Sequence, residues 1–178
     1  MFKMMTLKTT QKKSIKSWLS IITTGIIFAF LIYKFLFFVI IVPSGSMFPT
    51  IQPQDRIITT RIYDVDQIKR QDIIVFYSKE LDEIMVKRII GLPNDIVEIK
   101  GDGLVYINGQ ELKEPYVKYS DQLTGTYQVP DGKYLFLGDN RRHSYDSRKW
   151  VNPYIDASNI EGKAVLTIFP LNRISLLE

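Results

Sequence analysis

From Ser17 to Tyr33 the chain reads SWLSIITTGIIFAFLIY without one charged residue, and after Lys34 the apolar run resumes as FLFFVIIV. A stretch that is apolar on every face does not make the two-sided helix of a soluble domain surface. Rising about 1.5 Å per residue, the uncharged part spans roughly 25 Å, and snorkelling by Lys34 lets the next residues complete a hydrocarbon core of roughly 30 Å. The sequence therefore predicts a single-span membrane anchor at residues 17–39 behind a basic tail at residues 1–16. Lys3, Lys8, Lys12, Lys13 and Lys16 precede the run, which puts the N-terminus on the cytoplasmic side and all that follows the anchor outside. A cleaved secretory leader is the competing reading, but the stretch is long and no small-x-small site follows it.

Charge is divided unevenly along the chain. The formal net charge is +4, yet residues 1–42 hold six lysines and no acid, while residues 43–178 hold 17 basic and 19 acidic groups. The exported part thus has no basic excess of the kind that binds a phosphate backbone, and no nucleic-acid partner is expected. There are no cysteines. That is compatible with an extracytoplasmic domain held by its core and hydrogen bonds instead of disulfides.

Beyond Pro43 short β-branched and aromatic runs alternate with turn residues: RIIT, DIIVFY, IMVKRIIG, DIVEIK, GLVYINGQEL, TYQV, KYLFLGD and KAVLTIF. Their length and spacing predict a mostly β, antiparallel fold. The clearest hairpin turns at Asn108-Gly109, two residues suited to positive φ. One β-rich domain at residues 40–178 is the economical reading, with a small, turn-rich and more polar insertion at about residues 94–130.

Directly behind the apolar run, VPSGSMFPT (Val42 to Thr50) sets Ser44 and Ser46 on either side of Gly45. A serine hydroxyl attacks a carbonyl at neutral pH only if a base takes its proton. Three sources of that base are open on the residues alone. His143, the only histidine, could form a triad with Ser46 and Asp139 or Asp146. Lys87 interrupts a strand-like run and shares a face with Met85 and Ile89, where desolvation would favour the neutral amine. A carboxylate pair from the acids near the C-terminal loop is the third.

Read together and in order behind the anchor, PSGSMFPT, VKRIIGLPND and GDNRRHSYDSR resemble the signature boxes of the type I signal peptidases, membrane-bound serine endopeptidases with a Ser-Lys dyad. The resemblance runs from the anchor to about Trp150, and the small insertion is similar to the compact Gram-positive forms. It implies the β-sheet catalytic fold of that family and cleavage of signal peptides from exported preproteins outside a bacterial plasma membrane. The implied partners are those signal peptides and the lipid bilayer; no metal or cofactor is implied. Residue by residue it implies Ser46 as nucleophile, Lys87 as general base, and the Ser44 hydroxyl with the Ser46 N–H as oxyanion hole. Ser144 is implied to orient the lysine amine, while Arg88, Asp139, Arg141, Asp146 and Arg148 brace the site by ion pairs. Val42, Met47, Ile51 and Val86, with Ile40 and Val75, match positions that wall shallow pockets for substrate residues −1 and −3. Gly45 suits a close approach of the scissile peptide. Arg142 and His143 depart from the family pattern at positions that carry no family role. Two other classes compete: a non-catalytic relative serving as an assembly chaperone for surface proteins, which would be expected to lack the serine or lysine, and a self-cleaving Ser-Lys regulator, which would be soluble.

Overall fold

The computed structural model describes the backbone of residues 3–177 and the side chains from Ser17 onward. The side chains of the five lysines ahead of Ser17 lie outside the described residues. Two compact units are present, one up to Phe37 and one from Phe38 on. The first is helix α1 (Lys3–Leu36), whose segment Ser17–Leu36 is long and apolar enough to cross a membrane. The helix ends three residues short of the anchor boundary expected at 39, and a strand begins at Phe37. Phe, Val and Ile are as apolar in a strand as in a helix, so the run of side chains could not mark the change. Pairing with the next strand decides it.

The second unit is built on antiparallel strands, as the alternating runs predict. They are β1 (Phe37–Ile41), β2 (Arg56–Arg61), β3 (Ile73–Ser78), β4 (Glu83–Gly91), β5 (Ile96–Ile99), β6 (Val105–Ile107), β7 (Gln110–Glu111), β8 (Gly125–Gln128), β9 (Lys133–Leu137), β10 (Tyr154–Asp156), β11 (Ile160–Phe169) and β12 (Ser175–Leu176). The large sheet runs β1-β2-β11-β3-β4-β9-β10, with β12 added to β11; the small one runs β7-β6-β5-β8. In the hairpin from β6 to β7, Asn108 and Gly109 take φ of 52° and 82°, the values a tight turn requires.

Alternation along β3 and β4 sorts the core. Phe76 and Met85, cross-strand partners, enter one cluster with Ile89, Phe136 and Trp150, where Phe76 stacks on Phe136 at 4.3 Å. Val75 and Val86, the next pair along, enter another with Val42, Met47, Ile51 and Ile57. A third cluster fills the space between the sheets, joining Ile90, Leu135 and Leu137 to Val97, Ile99 and Val105. The small sheet comes so near that a Cβ on Gly91 would meet Val129 at 2.7 Å. That packing is the physical reason for the glycine at the end of β4.

Candidate active site

The segment after β1 continues its pairing, with Val42 N–H bonded to Asp55 O at 3.0 Å and Gln54 N–H to Val42 O at 2.8 Å. It then folds into a turn in which Ile51 N–H reaches Met47 O. That turn drives Met47 and Ile51, four residues apart, inward to full burial in the core and leaves Ser46 beside β4. Met47 and Ile51 therefore do not line the groove, in contrast to the pocket role expected for them: one turn of helix aims i and i+4 the same way, and here that way is the core. A groove of about 360 Å³ lies alongside, lined by Ile40, Val42, Ser44, Ser46, Val75, Val86 and Lys87 among others. The other four expected pocket residues, Val42, Val86, Ile40 and Val75, are thus at its wall.

Lys87 Nζ lies 2.7 Å from Ser46 Oγ, and the lysine is 3% exposed. Burial brings its pKa down from 10.5 to about 8, against the opposing pull of the Asp146, Glu83 and Asp139 carboxylates. Burial penalises the charged amine because the interior solvates it poorly. Ser44 Oγ stands 3.4 Å from Ser46 Oγ. His143, by contrast, is exposed, and the group against the serine is the amine.

The segment after β9 clamps the serine turn from behind. Asn140 N–H bonds to Ser46 O at 3.0 Å and its Nδ2 to Gly45 O at 3.1 Å. Asp139 accepts Thr50 Oγ1 at 2.5 Å and takes Arg88 on both carboxylate oxygens, at 2.8 and 2.7 Å. The pair is almost wholly buried, so the residue next to Lys87 on β4 is tied to the serine turn through one carboxylate. Asp146 accepts Gly138 N–H at 3.0 Å and Arg148 Nε at 2.8 Å. Burial alone would raise the Asp146 pKa, but the hydrogen bonds and charge of Arg148 hold it below the usual carboxylate range.

Two partners come from the small sheet's surroundings and carry no signal in the sequence. Arg141 pairs with Glu114 at 2.5 Å, and Arg148 takes both oxygens of Asp121 at 2.8 Å. Asn140 was likewise missed, although it lies inside the GDNRRHSYDSR box. Ser144 departs from expectation: it is wholly buried and its hydroxyl makes no bond to Lys87, lying instead where it helps hold the Asp146 pKa down. Ser144 also packs on Gly138, where a Cβ would meet Ser144 Oγ at 2.2 Å and Ser46 O at 2.5 Å.

A β-sheet scaffold that brings a desolvated amine against a serine hydroxyl in an open apolar groove has the working parts of a serine peptidase. The family model described as signal peptidase, peptidase S26, matches residues 15–169, and the chain belongs to that family. A signal peptidase I from Leptolyngbya laminosa is 42% identical over 146 residues, 76% of this chain and 70% of the relative. One from Bacillus licheniformis is 36% identical over 178 residues, covering 93% and 95%. A crystal structure of a signal peptidase I from Enterococcus faecalis V583 is 34% identical and covers 55% of this chain and 96% of its own, with a TM-score of 0.48. With the apolar helix Ser17–Leu36, this is a membrane-anchored member of the family.

Proposed function

We propose that Ser46 attacks the scissile carbonyl of a signal peptide and that Lys87 takes its proton. As a member of its family the chain is a serine endopeptidase that cleaves signal peptides; the reading here concerns which atoms do it. The observation that carries it is the 2.7 Å approach of Lys87 Nζ to Ser46 Oγ beside the groove. Ser46 O–H donates to the neutral amine, Oγ bonds to the carbonyl carbon, and the carbonyl electron pair moves onto oxygen. The Ser44 hydroxyl and the Ser46 N–H donate to that oxyanion, where the loss of one such donor costs roughly 2.7–4 kcal/mol of barrier. The ammonium then returns its proton to the leaving amine as the C–N bond breaks. Water, deprotonated by Lys87, hydrolyses the remaining ester.

Ser144, packed on Gly138 behind the serine turn, positions the dyad, and Arg88, Asp139, Arg141, Asp146 and Arg148 hold the loops that carry it. The groove walls at Val42, Val86, Ile40 and Val75 receive small residues at −1 and −3 of signal peptides on exported preproteins. The helix spans the membrane once with its N-terminus inside, and the catalytic unit acts outside a bacterial plasma membrane. Retention of Ser44, Ser46, Lys87 and Ser144 speaks against a chaperone that has lost its chemistry. The test is cleavage of a purified preprotein in detergent. Wild type is expected to release mature protein and Ser46→Ala to leave the preprotein intact; cleavage by Ser46→Ala at the wild-type rate overturns the assignment.

A further inference from the structure

Asn140 holds the two peptides on either side of Ser46 at once. Its Nδ2 donates to Gly45 O at 3.1 Å and its main-chain N–H to Ser46 O at 3.0 Å. Peptide units are planar, so the first contact sets the plane before Ser46 and the second the plane after it. The clamp is itself firmly seated. Asn140 is 8% exposed and stands between Asp139, paired with Arg88, and Arg141, paired with Glu114. Its Oδ1 has no hydrogen-bond partner among the described residues, which leaves the bond to Gly45 O as the polar contact of that side chain.

Gly45 supplies little restraint of its own. Glycine leaves the backbone free to turn, and beyond its chain neighbours a Cβ there would meet nothing nearer than Pro53 at 3.9 Å. The peptide joining Gly45 to Ser46 is trans, so its C=O and N–H point in opposite directions. With Gly45 O drawn to Asn140, the Ser46 N–H is turned away from the clamp, and it makes no hydrogen bond among the described residues. Ser44 and Ser46 line the groove, while Asn140 does not.

We propose that Asn140 is a positioning residue for the reaction, whose side-chain amide, through Gly45 O, aims the Ser46 N–H at the oxyanion. This rests on the assignment of that N–H to the oxyanion hole above. Loss of a donor from such a hole lowers kcat by about 10²–10³. Without the clamp the N–H remains but is free to turn, so a smaller fall in kcat, about 10- to 100-fold, is expected.

The experiment compares wild type with Asn140→Leu, both full length in detergent. Leucine is close to asparagine in shape and keeps the main-chain N–H. For a preprotein substrate kcat should fall by that factor with KM within about threefold of wild type, and the pH limb should stay in place because Lys87 is untouched. Two peptides that end at substrate position −1 supply a readout that looser packing would not move. One ends in an aldehyde: Ser46 Oγ bonds to its carbonyl carbon, the Oγ proton passes to Lys87, and the carbonyl electron pair moves onto oxygen. The other ends in the corresponding alcohol, which forms no oxyanion. Asn140→Leu should weaken the aldehyde about as much as it lowers kcat and leave the alcohol within about threefold. A kcat within about threefold of wild type, equal weakening of aldehyde and alcohol, or a displaced pH limb overturns the proposal. Asn140→Ala, read in the same way, decides the matter if the leucine variant does not fold. Failure of the dyad reading looks different, because wild type would then bind the aldehyde no more tightly than the alcohol and Ser46→Ala would still cleave.

Discussion

A lysine with the ordinary value of 10.5 would carry a neutral amine in only about one molecule in three thousand at pH 7. At about 8 the fraction is about one in ten, a gain of more than two orders of magnitude in competent base. Activity is therefore expected to rise with pH along a limb with its midpoint near about 8, read as kcat/KM. Lys87→Arg should be folded and nearly inactive, since a guanidinium stays protonated; substantial turnover by that variant would remove the base role from Lys87. The same shift has a stability cost of opposite sense. Because the folded value lies below the unfolded one, the unfolded chain binds more protons between about pH 8 and 10.5, so stability rises with pH through that window and the full cost is present below it. Lys87→Met should accordingly be more stable than wild type at pH 7, by about 1–3 kcal/mol in denaturant titration, and the gain should shrink above pH 8.

Strand β4 carries function on alternate sides. Lys87 reaches the serine while Arg88, one residue on, joins Asp139 and also bonds Gln71 O at 2.7 Å and stacks on Tyr116 at 3.8 Å. Removing one member of a buried pair leaves the other charged and unpaired, a loss of about 3–5 kcal/mol. Asp139→Leu is expected to lose that much in chemical denaturation, and the double variant Arg88→Met/Asp139→Leu to recover a large part of it. A double variant no more stable than Asp139→Leu would mean that Thr50, not Arg88, is the partner that matters. Elements were legible in proportion to their pattern. The hairpin at Asn108-Gly109 announces itself by its turn, and β3, β4 and β9 by short β-branched and aromatic runs bounded by turn residues. The short β10 and β12 hold too few residues for any period to register, and the switch from α1 to β1 is hidden by side chains that suit both.

For the whole molecule the prediction is topological. A basic stretch ahead of an uncharged span of 17 residues from Ser17 to Tyr33 directs the N-terminus to the cytoplasm. External protease added to protoplasts is expected to degrade the unit after Pro43 and spare a tag at Met1. Protection of that unit would reverse the orientation and separate the groove from exported substrates.

Local pattern alone determined the apolar helix, most of the strands and the residue types of the chemistry, because these depend on neighbours a few positions apart. Which base meets Ser46 did not follow from pattern. Lys87 is 41 residues away in the chain, and on residues alone His143 and the carboxylates stood beside it as candidates. Only the packing of the serine turn against β4 brings the amine to the hydroxyl, and only burial lowers its pKa. The same holds for Met47 and Ile51, turned into the core by one helical turn, and for Glu114 and Asp121, which reach Arg141 and Arg148 from the region of the small sheet. Desolvation and long-range pairing are properties of the assembled sheets, so they became visible only when the tertiary structure set these segments side by side.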